Sequence, residues 1–135
     1  MDLAKYTALF LEEATEHLVE MGRCLLVLEK TPDDGEAIAE VFRFAHGIKG
    51  MAASLEMDSI TELAHALEDF MDRFRSRGCV DPVNGVPLLF QGLDGLERMV
   101  AVVRETGAAP PPDEALVAMF HDALARGEGE PPKKG

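Results

Sequence analysis

Apolar residues recur along this chain at three- and four-residue spacing, and no stretch alternates with the two-residue period of a half-buried strand. The first periodic stretch runs from about Leu3 to Glu29, where Leu3, Phe10, Ala14, Leu18, Met21, Leu25 and Leu28 keep one seam. His17 and Cys24 fall near it and read as core-edge residues. Thr31-Pro32-Asp33-Asp34-Gly35 breaks the pattern, with a proline and acidic caps between two helices. A second helix is expected from about Asp34 to Ser54, with Ile38, Val41, Phe42, Ala45, Ile48 and Ala52 on its apolar face.

After a short turn through Glu56-Met57-Asp58, Ser59-Ile60-Thr61-Glu62 has the form of a capping box. It predicts a third helix to about Arg77, whose buried face is Ile60, Leu63, Leu67, Phe70, Met71 and Phe74, closed by the basic and glycine residues of Ser76-Arg77-Gly78. A fourth helix spans about Pro82 to Thr106 with Leu89, Phe90, Leu93, Leu96, Met99, Val100 and Val103 as its stripe. Either Pro82 or Pro87 could be its first helical residue. Gly107 to Pro112 reads as a loop. Asp113 to about Arg126 reads as a shorter fifth helix with Leu116, Met119, Phe120, Ala123 and Leu124 on one side. Residues 127–135 have the composition of a flexible linker, so the folded domain is expected at 1–126.

Composition adds exclusions. A chain of 135 residues with 47% hydrophobic content is most simply one globular domain with a real core. The two cysteines, Cys24 and Cys79, form no metal or disulfide pattern. The N-terminal residues lack the charged and apolar regions of a signal peptide, and no apolar run reaches ~18 residues, so membrane insertion is not expected and the cytoplasm is the default location. A net charge of −12 repels phosphates, which argues against nucleic acid as a partner. The acidic residues of the first half read as solvated helix faces.

One residue stands off the pattern. On the second helix His46 lies roughly 120° from the centre of the apolar face, at the water boundary. Ala39, Gly50 and Ala53, all small, share its stripe. Glycine costs ~1 kcal/mol inside a helix, so Gly47 and Gly50 need a reason. The reason proposed from sequence is access, a bare backbone that lets something large approach the imidazole. Lys49, one turn on, is placed to steady an anion there. In an antiparallel hairpin pivoting at 55–58, His46 lies roughly ten residues before the pivot and Glu68 roughly eleven after it, so equal helical rise sets them side by side. A carboxylate on one ring N–H fixes the tautomer and leaves the other nitrogen as a base or nucleophile. His65 lies one turn before Glu68, on the wetter side.

The run His46-Gly47-Ile48-Lys49-Gly50-Met51-Ala52, followed by His65-Ala66-Leu67-Glu68, resembles the N-terminal histidine phosphotransfer domain of CheA-type chemotaxis histidine kinases. The similarity covers the first four helices, including Phe10-Leu11-Glu12-Glu13-Ala14 and Val41-Phe42-Arg43. It implies an all-α fold, an antiparallel up-down four-helix bundle with a fifth C-terminal helix. It also implies that His46 is the phosphoacceptor and Glu68 its orienting partner, with Lys49 and His65 completing the network. The phosphoryl group would come from ATP on a kinase catalytic domain, in cis or in trans, and pass to an aspartate of a CheY-like response-regulator receiver that carries its own Mg²⁺. The domain itself would bind no cofactor and be monomeric. Arg43, Gly50, Ala53 and Met57 would form the surface the receiver docks on. Where the family usually has glycine this chain has Ala53, and where it has Gly-Phe this chain has Glu56-Met57; the departures bear on partner choice, with Met57 either a docking contact or a plug for the hairpin end. Two other readings remain: a carboxylate metal site, for which Glu62-Leu63-Ala64-His65 supplies one Glu-x-x-His motif where two are needed, and a non-catalytic adaptor bundle.

Overall fold

The computed structural model describes residues 2–126, and among them every regular element is helical. The elements are α1 (Leu3–Lys30), α2 (Gly35–Ser54), α3 (Asp58–Arg77), α4 (Gly85–Thr106) and α5 (Glu114–Arg126). Short connections make neighbours antiparallel: α1 packs on α2 and α4, α3 packs on the same two, and α5 lies against α3 and α4. This is the expected up-down bundle with an appended helix. The linker expected at 127–135 lies outside the described residues.

Local chemistry sets most of the boundaries. Asp34 caps α2 by accepting from the Ala37 N–H at 3.0 Å, and Asp113 caps α5 by accepting from the Leu116 N–H at 3.1 Å. Gly78 (φ 76°) and Gly107 (φ 79°) close α3 and α4 in the left-handed conformation that a side chain would strain.

Two boundaries differ from expectation. Ser59 does not cap α3: the helix starts at Asp58, its N-cap is Met57 without a side-chain bond, and the Ser59 hydroxyl is buried without a hydrogen-bond partner. The reason lies in the tight turn before it, where the Met57 N–H donates to the Ala52 carbonyl at 2.9 Å and Glu56 takes φ 58°. That turn brings the chain into helix one residue ahead of Ser59. Neither proline opens α4. Asp81 organises the preceding turn through the Val83 N–H (2.9 Å) and the Asn84 amide (3.1 Å), which leaves Pro82 in the turn and Pro87 third in the helix, where its missing N–H costs nothing. Two seam positions also fall outside the core. Leu3 and Met119 are exposed, and Val117 takes the buried place on α5.

The fifth helix approaches the bundle over glycines. A Cβ on Gly92 would stand 2.5 Å from Leu67 Cδ1 and 2.8 Å from Cζ of the fully buried Phe120 ring, which packs edge-on against Phe70 at 5.4 Å. Overpacking at such a contact costs ~1–3 kcal/mol, more than the ~1 kcal/mol of helix propensity that alanine regains. Gly92→Ala is therefore expected to lower the thermal unfolding midpoint by several degrees in a calorimetric scan; an unchanged or raised midpoint would mean α5 does not need that close approach.

Candidate functional site

The α2–α3 hairpin places its chemistry about midway along α2. His46 projects outward, its side chain 65% exposed, while Glu68 of α3 is 10% exposed beneath it. The His46 Nδ1 is hydrogen-bonded to Glu68 Oε2, and the Lys49 ammonium donates to Glu68 Oε1 at 2.7 Å. One carboxylate thus serves both groups. Burial would push the Glu68 carboxyl up, but the hydrogen bonds from Lys49 and His46 overrule it and hold it below the ordinary carboxylate range.

That ionised state decides the tautomer. A carboxylate only accepts, so Nδ1 must carry the proton. Nε2 then keeps its lone pair and faces the solvent side of the ring. The pair therefore gives an oriented nucleophile on a rigid helix, with its conjugate charge already opposed by a buried anion.

Linkage gives the sign of the pH dependence. A carboxyl depressed by folding contributes stability that is present above its unfolded-state value and is lost as pH falls through the lower folded-state value. Lys49→Met removes a lowering contact and keeps the burial. It should move the Glu68 carboxyl up towards or above its ordinary range in an NMR titration of the side-chain carboxyl; a carboxyl that stays depressed would show that Lys49 does not hold it.

The surroundings fit an approach by something large. Gly50 and Ala53 are exposed, and a Cβ on Gly50 would meet nothing within 4 Å. Arg43 is exposed beside the histidine, 3.9 Å from Glu40. Two expectations are corrected. Gly47 is not there for access: a Cβ on it would stand 3.1 Å from His17 Nε2, so this glycine lets α1 pack against α2. Met57 is buried at the hairpin end and plugs it, which removes it from the docking surface. His65 lies one turn before Glu68, its ligand atom within 4.8 Å of that carboxylate and its Nε2 3.5 Å from Asp69 Oδ2.

Sequence reasoning missed one feature. The Phe42 ring lies nearly parallel to the His46 ring, 13° apart with centroids 6.4 Å apart, and the Arg75 guanidinium covers its other neighbourhood at 3.9 Å from the Phe42 centroid. The i−4 spacing of Phe42 to His46 was visible in the sequence, but the reach of an arginine from α3 was not.

Fold and site together define a helical-bundle module that presents an imidazole, held by a buried carboxylate, on an open surface. Comparison with known proteins agrees: an Hpt domain family model matches residues 5–106, and the chain belongs to that family. It is 36% identical over 107 residues to the chemotaxis protein CheA of Bacillus subtilis (strain 168), which covers 79% of this chain and 16% of that protein. It is 33% identical over 102 residues to the chemotaxis protein CheA of Halobacterium salinarum, covering 76% of this chain and 15% of that protein. The chain therefore spans about a sixth of the length of these curated relatives. Among solved structures, the phosphorylated P1 domain of CheA3 in complex with CheY6 from R. sphaeroides superposes with a TM-score of 0.81 at 27% identity, covering 90% of this chain and 97% of that one. The solution structure of the histidine phosphotransfer domain of CheA gives 0.76 at 29% identity, covering 97% of both chains.

Proposed function

We propose that this chain is the phosphoacceptor domain of a chemotaxis histidine kinase working in the cytoplasm, with His46 as the residue that carries the phosphoryl group. The observation that carries the proposal is the solvent-facing Nε2 of an imidazole whose Nδ1–H is held by a buried, ionised Glu68. A kinase catalytic domain, in the same polypeptide or another, presents ATP to that nitrogen. The Nε2 lone pair attacks the γ-phosphorus in line, an N–P bond forms, the bond to the bridging oxygen breaks, and ADP leaves with the electron pair. The ring becomes cationic as the bond forms, and Glu68 is placed to oppose that charge. Lys49, bonded to the other oxygen of the same carboxylate, helps hold Glu68 ionised.

The second half reverses the first. An aspartate of a receiver domain attacks the phosphorus, the N–P bond breaks, and the pair returns to Nε2. By analogy with the P1–CheY6 complex among the relatives, the receiver is CheY-like; the Mg²⁺ it would bring is what the family resemblance implies. Arg43, Gly50 and Ala53 form the exposed surface of α2 that such a partner covers. A direct test is to incubate the chain with a CheA-type kinase domain, Mg²⁺ and ATP and to find the added phosphate by mass spectrometry. One phosphoryl group on His46, chased off by a receiver, is expected; no transfer to the chain, or a group on another residue, would overturn the proposal.

A further inference from the structure

His65 was expected in the network around His46, and the structure sets it beside both Glu68 and Asp69. Its Nε2 stands 3.5 Å from Asp69 Oδ2, and the ligand atoms of His65, Glu68 and Asp69 all lie within 4.8 Å of one another. The spacing i, i+3, i+4 puts the three side chains on one face of α3. His65 and Asp69 are half exposed, at 58% and 50%, so an ion can reach them from water.

We propose that His65, Glu68 and Asp69 form a site for a single zinc-like transition-metal ion, and that occupying it draws Glu68 away from His46. This rests on the reading of His46 as phosphoacceptor for its consequence, not for the binding itself. Two donors bound tetrahedrally at about 2.0–2.1 Å lie roughly 3.4 Å apart, which is the present His65–Asp69 separation. Only the Glu68 oxygen must close in. One imidazole and two carboxylates, with water in the fourth position, suit zinc better than magnesium, which takes all-oxygen octahedral sites. The chain's net charge of −12 favours any cation.

Lys49 opposes the ion. Its ammonium is 2.7 Å from Glu68 Oε1, so a dication at Glu68 meets a like charge and competes for the carboxylate. The site is therefore a switch in which zinc and the Lys49–Glu68–His46 arrangement exclude each other. Zinc bound there leaves the His46 ring without its anion, and phosphorylation slows.

Isothermal titration of the chain with Zn²⁺ alone, in a non-chelating buffer, tests the binding without any kinase. One Zn²⁺ per chain is expected, with the His65 ring resonances shifted by NMR. Asp69→Asn and His65→Ala should each weaken it at least tenfold, and Lys49→Met should strengthen it. Unaltered affinity in Asp69→Asn and His65→Ala, or an unmoved His65 ring, would place zinc elsewhere and overturn the site. The consequence is read by phosphorylating the wild type and Asp69→Asn with the same kinase and zinc concentration. Any effect of zinc on the kinase strikes both equally, so inhibition at least tenfold greater in the wild type is expected. Equal inhibition would overturn the switch while leaving the site standing, and a wild type that takes no phosphate without zinc would overturn the phosphoacceptor reading instead.

Discussion

His46→Gln should fold like the wild type and accept no phosphoryl group. The side chain is 65% exposed, and substitutions at such positions change stability by about ±0.5 kcal/mol, so circular dichroism and the unfolding midpoint should stay within error. Glutamine removes the nucleophilic lone pair and keeps a polar side chain of similar reach. The chain has four histidines, so the variant still carries His17, His65 and His121. His17 is half-buried, with its ring 5.2 Å from that of Phe44. His65 faces Asp69. Incorporation of radiolabel from ATP should fall to background in the variant, and label retained on one of the other three would displace His46 from its role.

Glu68→Ala should slow phosphorylation about 100-fold, the scale on which losing the support of a reacting base is felt. Two effects combine. The ring loses the acceptor that fixes its tautomer, and the developing positive charge loses the anion that opposes it. Stability should fall by ~1 kcal/mol, because the Lys49 ammonium loses a charge-assisted bond but is exposed enough to find water. Glu68→Gln separates the two effects: the amide oxygen can still accept from Nδ1–H, while the charge is gone. A rate for Glu68→Gln between those of wild type and Glu68→Ala is expected in a single-turnover assay with saturating kinase. Rates equal to wild type in both variants would mean that the carboxylate is a structural bystander.

Most of the bundle was legible because helices announce themselves through the period of their buried residues. Phe70, Phe74, Leu63 and Leu67 fall on one stripe of α3 and are all buried. The His46–Glu68 pair was legible for a geometric reason: equal distance from a hairpin turn sets two residues at one level. What failed depended on facts that spacing does not carry. Gly47 and Gly50 look alike in sequence, yet one faces His17 on another helix and the other faces open space. Ser59 and Glu62 have the spacing of a capping box, but the turn through Glu56 had already brought the chain into helix. Met57 shares a stripe with His46 only if α2 continues, and α2 ends at Ser54, so the chain turns and carries Met57 under the hairpin. Glu56 itself holds a left-handed φ that glycine adopts without strain, which ties that position to the geometry of the turn.

The most direct measurement is which nitrogen of which histidine carries the phosphoryl group. The chain labelled with ¹⁵N-histidine, phosphorylated by a CheA-type kinase and read by long-range proton–nitrogen correlation, reports this at atomic resolution. The Nδ1–H bond to Glu68 requires the group on Nε2 of His46, with the Nδ1 proton retained. A phosphoryl group on Nδ1, or on the ring of His17, His65 or His121, would contradict it.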